Sequence, residues 1–329
     1  MNSLRLRTKR KDDSHVGVSP KSRSTGSNQF MKLVISFGSL IAVVVVFGLG
    51  GFLAISTMIS GASKESSSPA KKDCLKRKGL PAEMFVKPTA DDDPTIGHPE
   101  REKTTVVFIG YSPERFENYD QILPKYGEMV KTIDRVLLLW NNQEECPPPV
   151  PAGTKVPIYV IPQNTNSLNN RLGLDVEKYA RTRSILHVDD DLFLSEKYIR
   201  KMIVSWVKGG INGVVGSMKE RRFAHPAFGY GDSIPKAHKK RLAKLKHNVV
   251  ITRSMLMGRK WIGPYSQNAA VLQYVDGQMN CEDIMMSALV RSKTGGRNPE
   301  YVKITEAEPR EELPHAGGLS DVLFKKKNA

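Results

Sequence analysis

Ser184 to Ser195 reads Ser-Ile-Leu-His-Val-Asp-Asp-Asp-Leu-Phe-Leu-Ser: an apolar, strand-like run that delivers three consecutive aspartates. Side chains alternate faces along a strand, so Asp189 and Asp191 are expected on one face, roughly 6.5 Å apart, with Asp190 on the other. In an open α/β sheet, ligands collect beyond the carboxyl ends of the strands, which is where these acids would lie. Two carboxylates on one face suit a hard divalent cation such as Mg²⁺ or Mn²⁺. A polar strand end running into a helix capped by Ser195 would read the same way. Asp91, Asp92 and Asp93 form a second acidic triplet, but Thr89, Ala90 and Pro94 flank it. With no apolar strand beneath to fix the three carboxylates, that triplet reads as a solvated linker.

The 329 residues allow one large domain or two small ones. Leu33 to Ile59 holds no charged residue, and as a helix it reaches roughly 40 Å, more than a bilayer's hydrocarbon core requires. It is too long, and starts too far from the N-terminus, for an ordinary cleaved signal peptide. The expectation is an uncleaved signal anchor over residues 33–59, behind a cytoplasmic basic tail over residues 1–32. That tail carries eight Lys/Arg and two Asp, although Lys64, Lys71, Lys72, Lys76, Arg77 and Lys78 make the other flank basic as well. Residues 60–103, rich in Ser, Pro, Lys and Asp, read as a flexible stem.

Of the net charge of +16, about +10 falls beyond the tail, and part of it lies in Lys236 to Lys246. A solvated face accounts for that run, and so does a surface for an anionic glycolipid. No aromatic-interleaved basic motif of a nucleic-acid module is present. Cys74, Cys146 and Cys281 are too few for a disulfide scaffold. In an oxidising lumen at least one stays free or pairs between chains, and Cys74 in the stem is placed for a homo-oligomeric bridge.

Residues 104–329 alternate strand and helix patterns. Strands are predicted at Thr104–Ile109, Arg135–Trp140, Pro157–Pro162, Ser184–Asp189, Ile211–Met218, Asn248–Thr252 and Tyr301–Ile304. Helices are predicted at Tyr119–Ile133, Glu196–Lys208 and Glu282–Arg291. This alternation implies an α/β domain with a mostly parallel, doubly wound sheet. From Lys219 to His247 the periodicity fails, as for a long surface excursion.

Several loops after strands carry residues suited to a nucleotide diphosphate. Arg115 follows the first strand, Asn141 the second, and Asn166, Asn170 and Arg171 precede the acidic strand. Arginine forks bind phosphate oxygens in pairs, and amides read a base or ribose edge. Each is weak alone; the sheet would bring them to one rim. A second acidic cluster, Asn280-Cys281-Glu282-Asp283-Ile284, opens the last helix, where carboxylates also favour the helix dipole.

The segments Leu-Leu-Leu-Trp-Asn-Asn (137–142), Asn-Ser-Leu-Asn-Asn-Arg-Leu (166–172), Leu-His-Val-Asp-Asp-Asp (186–191), Val-Ser-Trp (204–206) and Asn-Cys-Glu-Asp-Ile (280–284) resemble, in order and spacing, the exostosin-like glycosyltransferases of family 64. Two of them look closest to plant-type members. The resemblance implies a nucleotide-sugar-binding fold of the GT-A type, Mn²⁺ (or Mg²⁺) dependence, and transfer with retention of anomeric configuration. It places Arg115, Asn141, Asn166, Asn170 and Arg171 on the donor nucleotide and diphosphate. Asp189 and Asp190 would orient sugar and ribose, Asp191 with Asp189 would ligate the metal, and Asp283 beside Glu282 would face the reacting sugar and the acceptor hydroxyl. It further implies a single-pass type II protein of the Golgi or endoplasmic reticulum acting on a glycolipid or a glycan.

Three features depart from the family pattern. No cysteine follows Cys281 to pair with it. The arginine expected near Leu319 is absent, which leaves His315 and Lys325 as the nearby cations for a C-terminal acceptor or diphosphate contact. The loop Gly110–Arg115 is one residue longer. Two other readings stay open: a glycosyltransferase-like scaffold that assists a paralogous enzyme, and a metal-dependent phosphohydrolase, whose aspartate nucleophile usually follows the first strand.

Overall fold

The computed structural model describes residues 101–218, 224–225, 229–230 and 247–314. The basic tail, the Leu33–Ile59 span, the stem up to residue 100, Cys74, Lys236 to Lys246 and His315 lie outside the described residues. Among the described residues, no helix is long and apolar enough to cross a membrane.

Strands β1 (Thr104–Gly110), β2 (Ile133–Trp140), β3 (Ile158–Pro162) and β4 (Ser184–Val188) run parallel and form one side of a seven-stranded sheet, with β3 at its edge. Two-faced burial explains their near-continuous apolar runs. In β1, Val106 and Phe108 face one cluster of buried side chains and Val107 faces the other. Helix α1 (Phe116–Gly127) packs on the first face through Tyr119, Ile122, Leu123 and Tyr126. The second face is covered by α2 (Leu174–Tyr179), which contributes Val176 and Tyr179.

Acids end β4, and β5 (Leu192–Leu194) leads into α3 (Glu196–Lys208). The Ser195 Oγ accepts from the Tyr198 N–H at 3.3 Å, a side-chain cap that fixes where α3 starts. Tyr198, Ile199, Met202, Ile203 and Trp206 then recur at helical spacing along its buried stripe. The remaining elements are β6 (Val214–Gly216), β7 (Ala224–His225), β8 (Gly229–Tyr230), β9 (Ser254–Gly258), α4 (Ile262–Ser266), α5 (Ala269–Gln278), α6 (Glu282–Lys293), β10 (Glu300–Tyr301) and β11 (Arg310–Glu312). The main sheet has the order β10-β6-β9-β4-β1-β2-β3, in which β9 alone runs antiparallel to its neighbours. The domain is therefore α/β with a mostly parallel sheet.

Several boundaries differ from the sequence expectation, among them the last strand, expected at Tyr301–Ile304 and found at Glu300–Tyr301. Helix α1 stops at Gly127 rather than near Ile133, where β2 already begins, and a Cβ at Gly127 would lie 2.5 Å from the Thr154 side chain. The strand expected from Ile211 shortens to Val214–Gly216, since Gly210 and Ile211 adopt φ of 80° and 53° and turn the chain. The strand expected at Asn248–Thr252 lies instead at Ser254–Gly258. There Met255, Leu256 and Met257 pair with His187, Leu186 and Ile185 of β4.

Candidate functional site

The three acids do not continue the strand. Strand β4 ends at Val188, and the Leu192 N–H donates to the Asp189 carbonyl at 3.2 Å, so Asp189 to Leu192 form a tight turn. Strand alternation therefore does not set the three carboxylates; contacts from other elements do. The Leu313 N–H donates to the Asp191 carbonyl at 2.8 Å, and β11 pairs antiparallel with β5 with Glu312 opposite Leu192. A strap from the end of the described chain thus pins the acid turn.

Each carboxylate meets a guanidinium. Arg115 arrives from the 3₁₀ turn Pro113–Arg115, which follows β1 and is capped by the Ser112 side chain. It bonds the Asp190 Oδ1 and lies 3.9 Å from the Asp191 Oδ2. The Tyr119 hydroxyl on α1 donates to the Asp190 Oδ2 at 2.9 Å. Burial pushes the Asp190 carboxyl above its ordinary value, while Arg115 and the Tyr119 bond oppose that shift. Burial, then Asp190, raises the Tyr119 hydroxyl well above its ordinary value, so it keeps its proton and donates. Gly110 makes this arrangement possible: a Cβ there would sit 2.4 Å from the Tyr119 hydroxyl oxygen and 2.9 Å from the Trp140 ring.

On the other side of the turn, Arg171 lies 3.1 Å from the Asp189 Oδ1 and 4.0 Å from the Glu282 Oε1. Its guanidinium is buried, which works against its charge, but Asp189 and Glu282 more than restore it. Arg171 is placed by the 3₁₀ turn Leu168–Leu172, and that turn is held by a dense polar network. The buried Asn141 donates to the Ser167 carbonyl at 2.9 Å and accepts from the Asn170 Nδ2 at 2.9 Å. Asn169 donates to Asp276 of α5 at 2.8 Å and accepts from the Tyr265 hydroxyl at 2.8 Å, and the Ser167 hydroxyl also bonds Asp276. The Asn141 and Asn170 amides, read from sequence as donor contacts, here lock the loop that carries Arg171, and Asn166 sits 3.4 Å from Asn141.

Glu282 and Asp283 open α6, both buried. Met279 and Cys281 hold φ of 48° and 77° on either side of Asn280, and this pair of left-handed residues swings α6 toward the acid turn. The Thr252 hydroxyl donates to Glu282 at 2.8 Å. The Asp283 Oδ1 accepts from the Ile284 N–H at 2.6 Å. Cys281 is a free thiol, and burial followed by Asp283 and Glu282 raises its pKa.

The structure thus gathers Arg115, Arg171, Asp189, Asp190, Asp191 and Glu282 into one ion-paired cluster beyond the carboxyl ends of the parallel strands. Asn141, Asn166 and Asn170 bond one another and the Leu168–Leu172 turn that carries Arg171, and Asp283 follows Glu282 at the head of α6. Sequence reading missed Tyr119, Asn169, Thr252, Asp276 and Arg253, the last with its Nη2 3.6 Å from the Asp191 Oδ1. Asn169 sits within the 166–172 segment without being singled out, and no motif announces the other four, because each acts through an element distant in the chain. Among the described residues, no group of three or more His, Cys, Asp or Glu is set to hold a metal ion by itself. A cation that keeps several waters and binds substrate phosphates needs only one or two carboxylates. Asp189, with its side chain 31% exposed, and the neighbouring Asp191 offer hard oxygen donors of that kind.

The chain is similar to several known proteins. Glucosamine inositolphosphorylceramide transferase 1 of Arabidopsis thaliana is 28% identical over 196 residues, covering 57% of this chain and 24% of that protein. Exostosin-like 2 of Mus musculus is 25% identical over 204 residues, covering 55% of this chain and 56% of that protein. The chain therefore spans between a quarter and just over half of these relatives' lengths. A crystal structure of GalNAc-T7 with UDP, GalNAc and Mn²⁺ overlaps with a TM-score of 0.40 at 10% identity over 66% of this chain and 44% of that one, too loosely to define the fold. The glycosyl transferase family 64 domain matches residues 104–322, which span the whole ion-paired cluster, and the chain belongs to that family.

Proposed function

We propose that this protein is a membrane-anchored, retaining glycosyltransferase with a GT-A type donor site. It would move a hexose or N-acetylhexosamine from a UDP- or GDP-sugar to a glycolipid or glycan. The observation that carries this reading is the acid turn Asp189–Asp191, paired with buried arginines at the carboxyl rim of a parallel sheet inside a family 64 domain. Such a rim is where an open α/β sheet takes nucleotides.

Asn141, Asn166 and Asn170 border the nucleotide position, and Arg115 and Arg171 supply fixed positive charge to the diphosphate side. Asp190, bonded by Arg115 and Tyr119, fixes the turn from beneath. Asp189 and Asp191 would hold Mn²⁺ or Mg²⁺, which, when bound, neutralises charge growing on the departing diphosphate. Buried Glu282 and Asp283 supply carboxylates beside the sugar and the acceptor hydroxyl. The low-dielectric setting magnifies all of these charges.

The name of the Arabidopsis relative couples glucosamine with inositolphosphorylceramide, which supports a glycolipid acceptor over a glycan chain. The uncharged span Leu33–Ile59 supports a single-pass type II placement in the Golgi or endoplasmic reticulum, with residues 60–103 as stem.

The test is donor turnover by the full-length protein with Mn²⁺ across UDP- and GDP-sugars, beside Asp191→Asn. Turnover of one donor, lost in the variant, is the expected result. If the wild type neither turns over nor binds any donor, the enzyme reading fails and a scaffold role takes its place.

A further inference from the structure

Three guanidiniums surround the acid turn, and they are not equivalent. The Arg115 and Arg171 side chains are 8% and 7% exposed, and each holds a direct bond to one carboxylate of the turn. The Arg253 side chain is 30% exposed. Its Nη2 lies 3.6 Å from the buried Asp191 Oδ1, too far for a hydrogen bond, and 3.2 Å from the Glu312 Oε2. Glu312 is itself half-exposed and also lies 3.4 Å from the Arg310 Nη2. An exposed pair of this kind is screened by water and easily exchanged.

We propose that Arg253 is a diphosphate-contacting residue whose guanidinium leaves Glu312 for the phosphate oxygens of a nucleoside diphosphate arriving beside Asp191. This rests on the donor-site reading above and adds a specific residue to it. The planar guanidinium fork matches two phosphate oxygens at once. Arg253 is the member of the three that solvent reaches, so it is the one able to meet an incoming anion without breaking a buried ion pair. Its place just before β9, between the acid turn and β11, sets it at the mouth of the site. Glu312, fixed opposite Leu192 by the β5–β11 pairing, competes with the ligand for the same cation.

A purely structural role for Arg253, tying β11 to the acid turn, makes a different prediction, and one set of variants separates the two. The experiment is calorimetric titration of the full-length protein with UDP and GDP in the presence of Mn²⁺, with uridine and guanosine as phosphate-free controls. For whichever diphosphate binds, Arg253→Gln is expected to weaken binding about 10- to 100-fold and to leave the nucleoside unaffected. Arg253→Lys is expected to recover part of the loss. Glu312→Gln is expected to tighten diphosphate binding several-fold, and the double variant to bind like Arg253→Gln alone. If Glu312→Gln weakens binding as Arg253→Gln does, Arg253 is a tether and the proposal is overturned. Equal losses for diphosphate and nucleoside, or wild-type binding in Arg253→Gln, overturn it too while leaving the donor site standing. Absence of any diphosphate binding by the wild type overturns the donor-site reading together with this one.

Discussion

Replacing His187 by leucine is expected to remove an acid sensitivity that the fold builds into β4. His187 is 1% exposed, in register with Val107 of β1 on one side and Met255 of β9 on the other. Among the described residues, neither of its ring nitrogens has a hydrogen-bond partner. Burial, and secondarily the Arg171 cation, lowers its pKa from 6.5 to about 3. The folded protein therefore holds the ring neutral where the unfolded chain takes up a proton, and acid favours unfolding. The stability involved is fully present above the unfolded value and drains away as pH falls toward the folded one. Each pH unit in that window is about 1.4 kcal/mol, so lowering the pH from about 7.5 to about 5 costs about 2 kcal/mol through this residue alone. For a domain of this size, that corresponds to a drop in Tm of about 4–8 °C. The assay is thermal or urea unfolding of the wild type and His187→Leu at both pH values. The leucine fits the apolar flanks, so the variant should lose this share of the pH dependence. Parallel pH profiles for the two proteins would refute the reasoning.

Other perturbations probe the same region. Gly110→Ala forces a Cβ into the Tyr119 hydroxyl and the Trp140 ring, and should cost about 1–3 kcal/mol in urea unfolding. Tyr119→Phe removes one donor from the buried Asp190 carboxylate; a loss of about 1–3 kcal/mol in stability is expected, measurable by the same unfolding. Asn169→Ala leaves Asp276 and the Tyr265 hydroxyl short of a partner. It should loosen the turn that carries Arg171 and raise the donor KM more than it lowers kcat, as steady-state kinetics would report.

What the sequence determined by itself was local. Helix α3 begins after Ser195 and ends at Lys208 as expected, because a side-chain cap and a stripe at helical spacing are both written within one segment. The apolar strands and their parallel order followed from alternation with helices, and the ordered motifs pointed to the family. Leu33–Ile59, long enough in sequence for a bilayer, lies outside the described residues and stays an expectation. Tertiary structure decided the geometry of the acids. A strand pattern would put Asp189 and Asp191 on one face, but backbone bonds to Asp189 and from Leu313 bend the segment into a turn. The charges that balance the turn come from β1's following loop, the Leu168–Leu172 turn, the approach to β9 and the head of α6. A guanidinium and a carboxylate far apart in the chain carry no mutual mark in sequence. Only packing sets their distance, and at these separations a difference of an ångström decides whether a cation is locked to a carboxylate, as Arg115 is, or remains exchangeable, as Arg253 is.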